Sequence, residues 1–142
     1  MNSFTTNSYG KIIIIHIGKG EDLLESVCRA AAENGVKNAI LVSMIGSLRT
    51  AQMHYITTTE ANSTDKYLTI HKPLEIGTAQ GMIINGEPHF HFCLSADGVS
   101  YVGHMEKGCI VQYLIEAVLI EYNDLELIRK TDEYNISYIA RK

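Results

Sequence analysis

The first strong pattern along the chain is a β-branched run, Ile12-Ile13-Ile14-Ile15-His16-Ile17, closed by Gly18-Lys19-Gly20. A short apolar run stopped by glycines predicts a strand over residues 12–17, buried on both faces and ended by a turn. Asp22 then stands where a helix cap is needed, and Leu23, Leu24, Val27, Cys28 and Ala31 recur at helical spacing until Asn34-Gly35. This predicts one amphipathic helix with a single apolar face and a glycine-terminated end. Residues 38–43 and 48–58 read as the second and third strands, with Ile45-Gly46-Ser47 as a tight connection between them.

Beyond this point the pattern is strand after strand. The polar stretch 60–66, with Asn62, Ser63, Thr64 and Asp65, predicts the longest exposed loop within one core. Strands over 67–71 and 74–84 follow, punctuated by Pro73, and Asn85-Gly86 is a strong hairpin signal. The returning strand starts at Pro88-His89 and runs through Leu94, Asp97-Gly98 turns the chain again, and residues 99–103 form another short strand. Residues 109–122 fit both periodicities. The missing N-cap, the β-branched Val111, Ile115, Val118 and Ile120, and the turn-like Lys107-Gly108 and Asn123-Asp124 on either side favour a strand. Residues 126–130 and 136–139 finish the sheet. With no internal repeat, the fold class is α+β: an antiparallel-rich β-sheet with one main α-helix packed on it, a single domain whose core spans about residues 9–139.

Composition fits one such core. A chain of 142 residues, 46% apolar and 20% charged, is too hydrophobic for disorder and long enough to bury roughly 68–70% of its unfolded surface. The net charge is −4, and lysine and arginine adjoin only at Arg129-Lys130 and Arg141-Lys142. Nonspecific nucleic-acid affinity comes from phosphate neutralisation by Lys and Arg, so this balance argues against strong DNA binding by the lone chain. No apolar run reaches the ~18 residues a membrane span needs, and the first ten residues have neither a basic nor an apolar targeting region. A soluble, untargeted cytoplasmic protein with no membrane partner is expected. Cys28, Cys93 and Cys109 are odd in number and lack a CxxC pair, which suits free thiols in a reducing compartment.

The feature that points to chemistry is the placement of His89, His91 and His104 within sixteen residues. On a strand, residues two apart share a face, so His89 and His91 project together while Phe90, Phe92 and Leu94 turn into the core. The reversal at Asp97-Gly98 brings His104 back beside them, and Gly103 permits close backbone approach there. Three neutral imidazoles suit zinc, with nickel, copper or iron as alternatives, and leave a fourth position for a water, a carboxylate or a small-molecule ligand. That is the arrangement of metal-assisted hydration and hydrolysis, and Glu75 or Glu106 is the candidate acid or base. Two solvated rings with no metal are the plain alternative. Cys93, on the same face as His91, is a second-ranked ligand. The carboxylates available to orient the rings are Glu75, Glu87, Asp97 and Glu106. His16, His54 and His71 stand alone and read as structural. Gly18-Lys19-Gly20 lacks phosphate-loop spacing, and Ser43, Ser47 and Ser95 lack a nucleophile-elbow context.

Several pieces in order carry a family resemblance: Gly20-Glu21-Asp22-Leu23, Ile45-Gly46-Ser47-Leu48, Pro73-Leu74-Glu75-Ile76, and above all Gly86-Glu87-Pro88-His89-Phe90-His91 followed by Gly103-His104 and Gly108. From about Tyr9 to Ile139 the chain resembles the plants-and-prokaryotes conserved (PPC) domain, which in plants accompanies an AT-hook. The resemblance implies an α+β homotrimer with the histidine-rich strand near a pocket at a subunit boundary, and it strengthens the three-histidine metal site. Plant members are associated with DNA through a separate AT-hook tract of the RGRP type, which this sequence does not contain. Prokaryotic relatives are single domains that carry a provisional DNA-binding label, an analogy of family and not an argument from a site. One departure is Val102, where the family often has a second glycine before the histidine.

Three readings follow. The first is a zinc-binding homotrimer with a regulatory or DNA-associated role, its partners DNA or a regulatory protein. The second is a metal-dependent hydrolase or lyase acting on a small molecule. The third is an oligomeric scaffold whose metal is structural.

Overall fold

Strand β1 (Tyr9–Gly18) alternates: Ile13, Ile15 and Ile17 enter the core, whereas Ile12 is 66% and Ile14 81% exposed. The expectation of burial on both faces is thus corrected. The sheet carries its helix on one face, and β1 is an edge strand whose other face is open. The computed structural model describes residues 1–60 and 64–142.

Helix α1 (Leu23–Glu33) forms as its spacing predicts. Asp22 caps it by accepting from the Glu25 backbone N–H at 3.0 Å, and its second carboxylate oxygen accepts from the Gly108 N–H at 2.6 Å. One side chain thereby starts the helix and ties it to the loop before β6. At the other end, Gly35 has φ +71, and the N–H groups of Val36 and Gly35 return to the carbonyls of Ala31 and Ala32, a left-handed glycine cap. Leu23, Leu24, Val27 and Ala31 are buried against the sheet. Full burial of a side chain such as Leu23 contributes about 1.5–3 kcal/mol.

The remaining strands are β2 (Ala39–Ile56), β3 (Asp65–Ile84), β4 (Glu87–Ala96), β5 (Val99–Met105), β6 (Ile110–Tyr122), β7 (Leu127–Thr131) and β8 (Ser137–Arg141). Five of them join β1 in one antiparallel sheet in the order β1-β6-β2-β3-β4-β5, with an extra pairing of β2 to β5. That pairing, Met53 to Met105 and His54 to His104, curls β2, β3, β4 and β5 into a partly closed barrel. Met53, Met105, Phe90, Phe92 and Leu94 fill its inside.

Two expected interruptions are absent. Ile45-Gly46-Ser47 is no connection; β2 runs through it with register shifts on either side, and Gly46 sits at φ +135 with Leu114 O only 2.1 Å from where a Cβ would stand. A glycine within a strand here marks a bulge and close strand approach. Pro73 does not break β3 either. The register with β2 shifts beside it, and the pairing of β3 with β4 begins only at Glu75, so the missing N–H interrupts no ladder on that side.

Both two-residue turns are as expected: Asn85-Gly86 has φ 52 and 84, Asp97-Gly98 has φ 50 and 75. Of the stretch 109–122, Ile110–Tyr122 is strand β6. Of the expected loop at 60–66, Asn62 and Ser63 lie outside the described residues, while Asp65 and Lys66 already belong to β3.

The chain end differs from expectation. β7 and β8 form a separate two-stranded sheet instead of finishing the main one. The strand before them, β6, already has β1 on one edge and β2 on the other, so no adjacent edge is free. The hairpin instead lies over the outer face, where Leu125 and Leu127 pack with Ile84 and Tyr122, joined by Phe4, Met82 and Ile139.

Candidate metal centre

The outer face of the sheet carries a continuous cross-strand row. Ile12 pairs with Ile120, Ile120 with Ile40, Ile40 with Met82, and Met82 with His89. The next row toward the barrel mouth joins Gln80 to His91 and His91 to His104. The histidines therefore stand at the end of a largely apolar strip. Alternation on β4 puts Phe90 and Phe92 inside and His89 and His91 outside, as the sequence implies.

Ligand-capable atoms of His89, His91 and His104 lie within 4.8 Å of one another. The Nε2 atoms of His89 and His91 are 3.3 Å apart, with rings stacked 17° from parallel. The His104 ring meets both edge-on, with centroids 4.9 and 5.5 Å away. Two nitrogens bound to one tetrahedral zinc at about 2.05 Å would stand about 3.3 Å apart, the separation these two Nε2 atoms have.

Electrostatics favour the neutral, ligating form of His104 and His89. Burial pushes His104 down to about 4, helped by the neighbouring His54 and His89 and opposed by Glu106. His89 is also lowered, first by desolvation of its ring and next by the charge of Arg129. A ring that stays neutral at ordinary pH keeps a nitrogen lone pair for a metal.

Gly103 is what lets His104 reach this place. A Cβ on it would stand 2.6 Å from His54 O and 2.7 Å from Met53 Cε, so β5 closes on β2 only with glycine there. Val102, the departure from the family pattern, is 61% exposed and pairs with Cys93 without entering that contact.

His54, read from sequence as a lone structural histidine, belongs to the site. Its ring stacks on His104 with centroids 4.5 Å apart, and its Nδ1 lies 2.6 Å from Glu106 Oε1. Its Nε2 faces Asp65 Oδ2 at 4.0 Å. His54, His104 and Glu106 make a second group of convergent ligand atoms. Only the nonlocal pairing of β2 with β5 brings His54 here, and no spacing along the chain signals that. Glu106 holds His54 and not one of the three clustered rings.

The other candidates lie apart. Glu75 pairs with Ser95, four residues along β4 from His91 and so about 13 Å away. Cys93 joins no ligand group among the described residues. His16 pairs with Glu116 on the edge strand β1, four strands from β4, and His71 Nδ1 lies 3.3 Å from Thr50 Oγ1. All three cysteines are free, and burial pushes the Cys109 thiol up to about 12. No helix among the described residues is long and apolar enough to cross a membrane.

A family model, the Plants and Prokaryotes Conserved (PCC) domain, matches residues 4–123. The chain belongs to this family. Solved structures share the PCC fold, a mostly antiparallel sheet with one short helix. A plant- and prokaryote-conserved protein from Pyrococcus horikoshii is 23% identical with a TM-score of 0.81, covering 98% of this chain and 99% of that one. A protein from Archaeoglobus fulgidus described as metal-containing is 26% identical with a TM-score of 0.78, covering 95% of both chains. A Bacteroides thetaiotaomicron protein provisionally described as DNA-binding is 17% identical with a TM-score of 0.81, covering 94% of this chain and 96% of that one. Among curated proteins, the bifunctional protein GlmU of Synechococcus sp. (strain JA-3-3Ab) is 27% identical over 114 residues, which are 80% of this chain and 17% of that protein. The chain thus spans less than a fifth of that relative's length.

Proposed function

We propose that this PCC-domain protein binds a divalent transition metal, zinc by preference, through His89, His91 and His104. The observation that carries the reading is the 3.3 Å separation of the His89 and His91 Nε2 atoms with His104 edge-on to both. The metal-containing description of the Archaeoglobus relative supports it. Borderline imidazole donors suit zinc, and a three-histidine set leaves one position open to a ligand. When bound, the ion supplies Lewis-acid polarisation of whatever donor atom takes that position. The chain's own part is to bring the ligand atoms of three rings within 4.8 Å of one another, with His54 stacked on His104 and anchored by Glu106.

Metal analysis of protein purified without an affinity tag and reconstituted with zinc tests this. One equivalent per chain is expected, and none in His89→Ala or His104→Ala. Binding well below stoichiometry, or unchanged binding in both variants, would overturn it.

The His54–Glu106 pair favours a second reading, a metal-dependent hydrolase or lyase. In this reading the pair, hydrogen-bonded at 2.6 Å with His54 stacked on His104, serves as the proton carrier of the site. Glu106 replaces Glu75 as the carboxylate for that role. Turnover that disappears on chelation and falls in His54→Gln, with zinc content intact, would establish it.

We also propose assembly into a homotrimer. Support within this chain is the exposed apolar strip through Ile12, Ile14, Ile40 and Val42, which runs toward the histidines. Strips of this extent mark contact surfaces. A DNA-associated or regulatory role rests on family relatives. It requires retention on DNA that weakens steeply with salt, against a net charge of −4.

A further inference from the structure

His104 belongs to two sets of ligand atoms at once. Beside the three-histidine set, His54, His104 and Glu106 bring two ring nitrogens and a carboxylate oxygen within 4.8 Å of one another. The β2–β5 closure builds this second set. His54 is the register partner of His104, and the Glu106 N–H donates to Gln52 O at 3.0 Å, which extends the pairing past the end of β5. Glu106, two residues on from His104, stands on the same face of that extended stretch. The His54 ring is fixed from two sides, stacked on His104 at 4.5 Å and tilted against Tyr67 at 5.2 Å. The side chains of His54 and Glu106 are 21% and 33% exposed, so neither is sealed from solvent.

The donor chemistry of the two sets differs. Three imidazoles are uncharged borderline donors, whereas two imidazoles and one carboxylate are the donor set of non-haem iron(II), and carboxylate oxygen also suits manganese(II). Charge separates them too. Glu106 supplies one negative charge at the ion, and Asp65 Oδ2, 4.0 Å from His54 Nε2, supplies another behind the ring. The three-histidine set includes no carboxylate. On entry the ion takes the place of the hydrogen between His54 Nδ1 and Glu106 Oε1, and the ring proton moves to Nε2, which faces Asp65. Giving up that 2.6 Å hydrogen bond makes the second set the weaker of the two, filled in excess metal and emptied when the excess is removed.

We propose that the chain carries an alternative metal site on His54, His104 and Glu106, suited to iron(II) or manganese(II), and that the two sites compete for His104. A neutral imidazole has one lone-pair nitrogen, so His104 serves one ion at a time. The second site needs neither His89 nor His91, and so stands or falls separately from the three-histidine reading.

Manganese(II) is the probe, because the sharp paramagnetic resonance signal of the free ion is lost on binding. The metal-free whole chain is titrated, with circular dichroism as the check on folding. Wild type and His89→Ala are each expected to bind one manganese. The Kd should be at least tenfold weaker in Glu106→Gln and in His54→Gln, while both keep one equivalent of zinc. Wild type loaded beforehand with one equivalent of zinc should bind manganese at least tenfold more weakly than metal-free wild type. No binding by wild type at millimolar manganese would overturn the proposal, as would equal affinity in wild type and both variants. Binding that is lost in His89→Ala but kept in Glu106→Gln would place the ion on the three-histidine set and equally overturn it. Equal manganese affinity with and without zinc would remove the competition for His104. Were zinc to bind nowhere, the three-histidine reading falls, and the manganese titrations of wild type and the two variants still decide the second site. Should Glu106→Gln fail to fold, His54→Gln carries the comparison.

Discussion

His104 stacks on His54 with ring centroids 4.5 Å apart and planes 27° from parallel, because β5 pairs with β2 at this one pair and its neighbour Met53–Met105. The stack covers one side of a ring that already faces His91 across β4, so water reaches His104 poorly and its charged form is disfavoured.

That burial makes a pH prediction. His104 titrates at about 4 in the fold, against 6.5 for the unperturbed side chain. Above pH 6.5 neither state holds the proton and the fold has its full stability. As pH falls from 6.5 toward 4, the unfolded chain takes up a proton the folded one refuses, so stability declines; below 4 this loss levels off. The urea midpoint of metal-free protein is expected to drop between pH 7.5 and 5.0. His104→Gln should reduce that drop, and an unchanged slope in the variant would count against the account.

Metal should act in the opposite direction. A ligand that binds only the folded state at a hundred times its Kd adds about 2.7 kcal/mol, which for a chain of this size raises Tm by roughly 5–10 °C. Zinc is expected to produce that rise in wild type at pH 7.5 and to have no effect on His91→Ala. Chelator should reverse it. Thermal scans with and without zinc are the measurement.

Glycine substitutions separate closure of the barrel from turn strain. Gly103→Ala pushes a methyl into His54 O and Met53, and is expected to destabilise by about 1–3 kcal/mol while weakening zinc binding. Gly86→Ala, at φ +84 with nothing within 4 Å, should destabilise by about 1–2 kcal/mol through backbone conformation alone and leave zinc affinity intact. Paired denaturation and zinc titrations of the two variants check the contrast.

The local parts of this site were legible in the sequence. Alternation along His89-Phe90-His91-Phe92 sets which side chains face out, and Asp97-Gly98 sets the two-residue reversal that opposes His91 to His104. Those are short-range rules of strand and turn. His54 was not legible, since it arrives by a contact far along the chain, the β2–β5 closure. Gly46 and Pro73 misled for a related reason. Each was read as an end of structure, yet long strands β2 and β3 absorb them as bulges because their neighbours hold the register on both sides of the irregularity.

Ile14 provides the test of assembly. It is 81% exposed, next to the 66% exposed Ile12, on an edge strand. In an isolated chain a charge at such a position displaces water from nothing, and Ile14→Glu would be within about 0.5 kcal/mol of wild type. If three copies meet over this strip, the same carboxylate is buried near its own symmetry mates, and burying it unpaired is far more costly. Light scattering should therefore find wild type at three times the chain mass and Ile14→Glu at a single chain mass, with circular dichroism unchanged. Repeating the wild-type measurement in chelator separates assembly by apolar packing, which persists, from assembly that needs the metal, which does not. A wild type that runs as a single chain at micromolar concentration would remove the homotrimer, leaving the exposed isoleucines to a different partner.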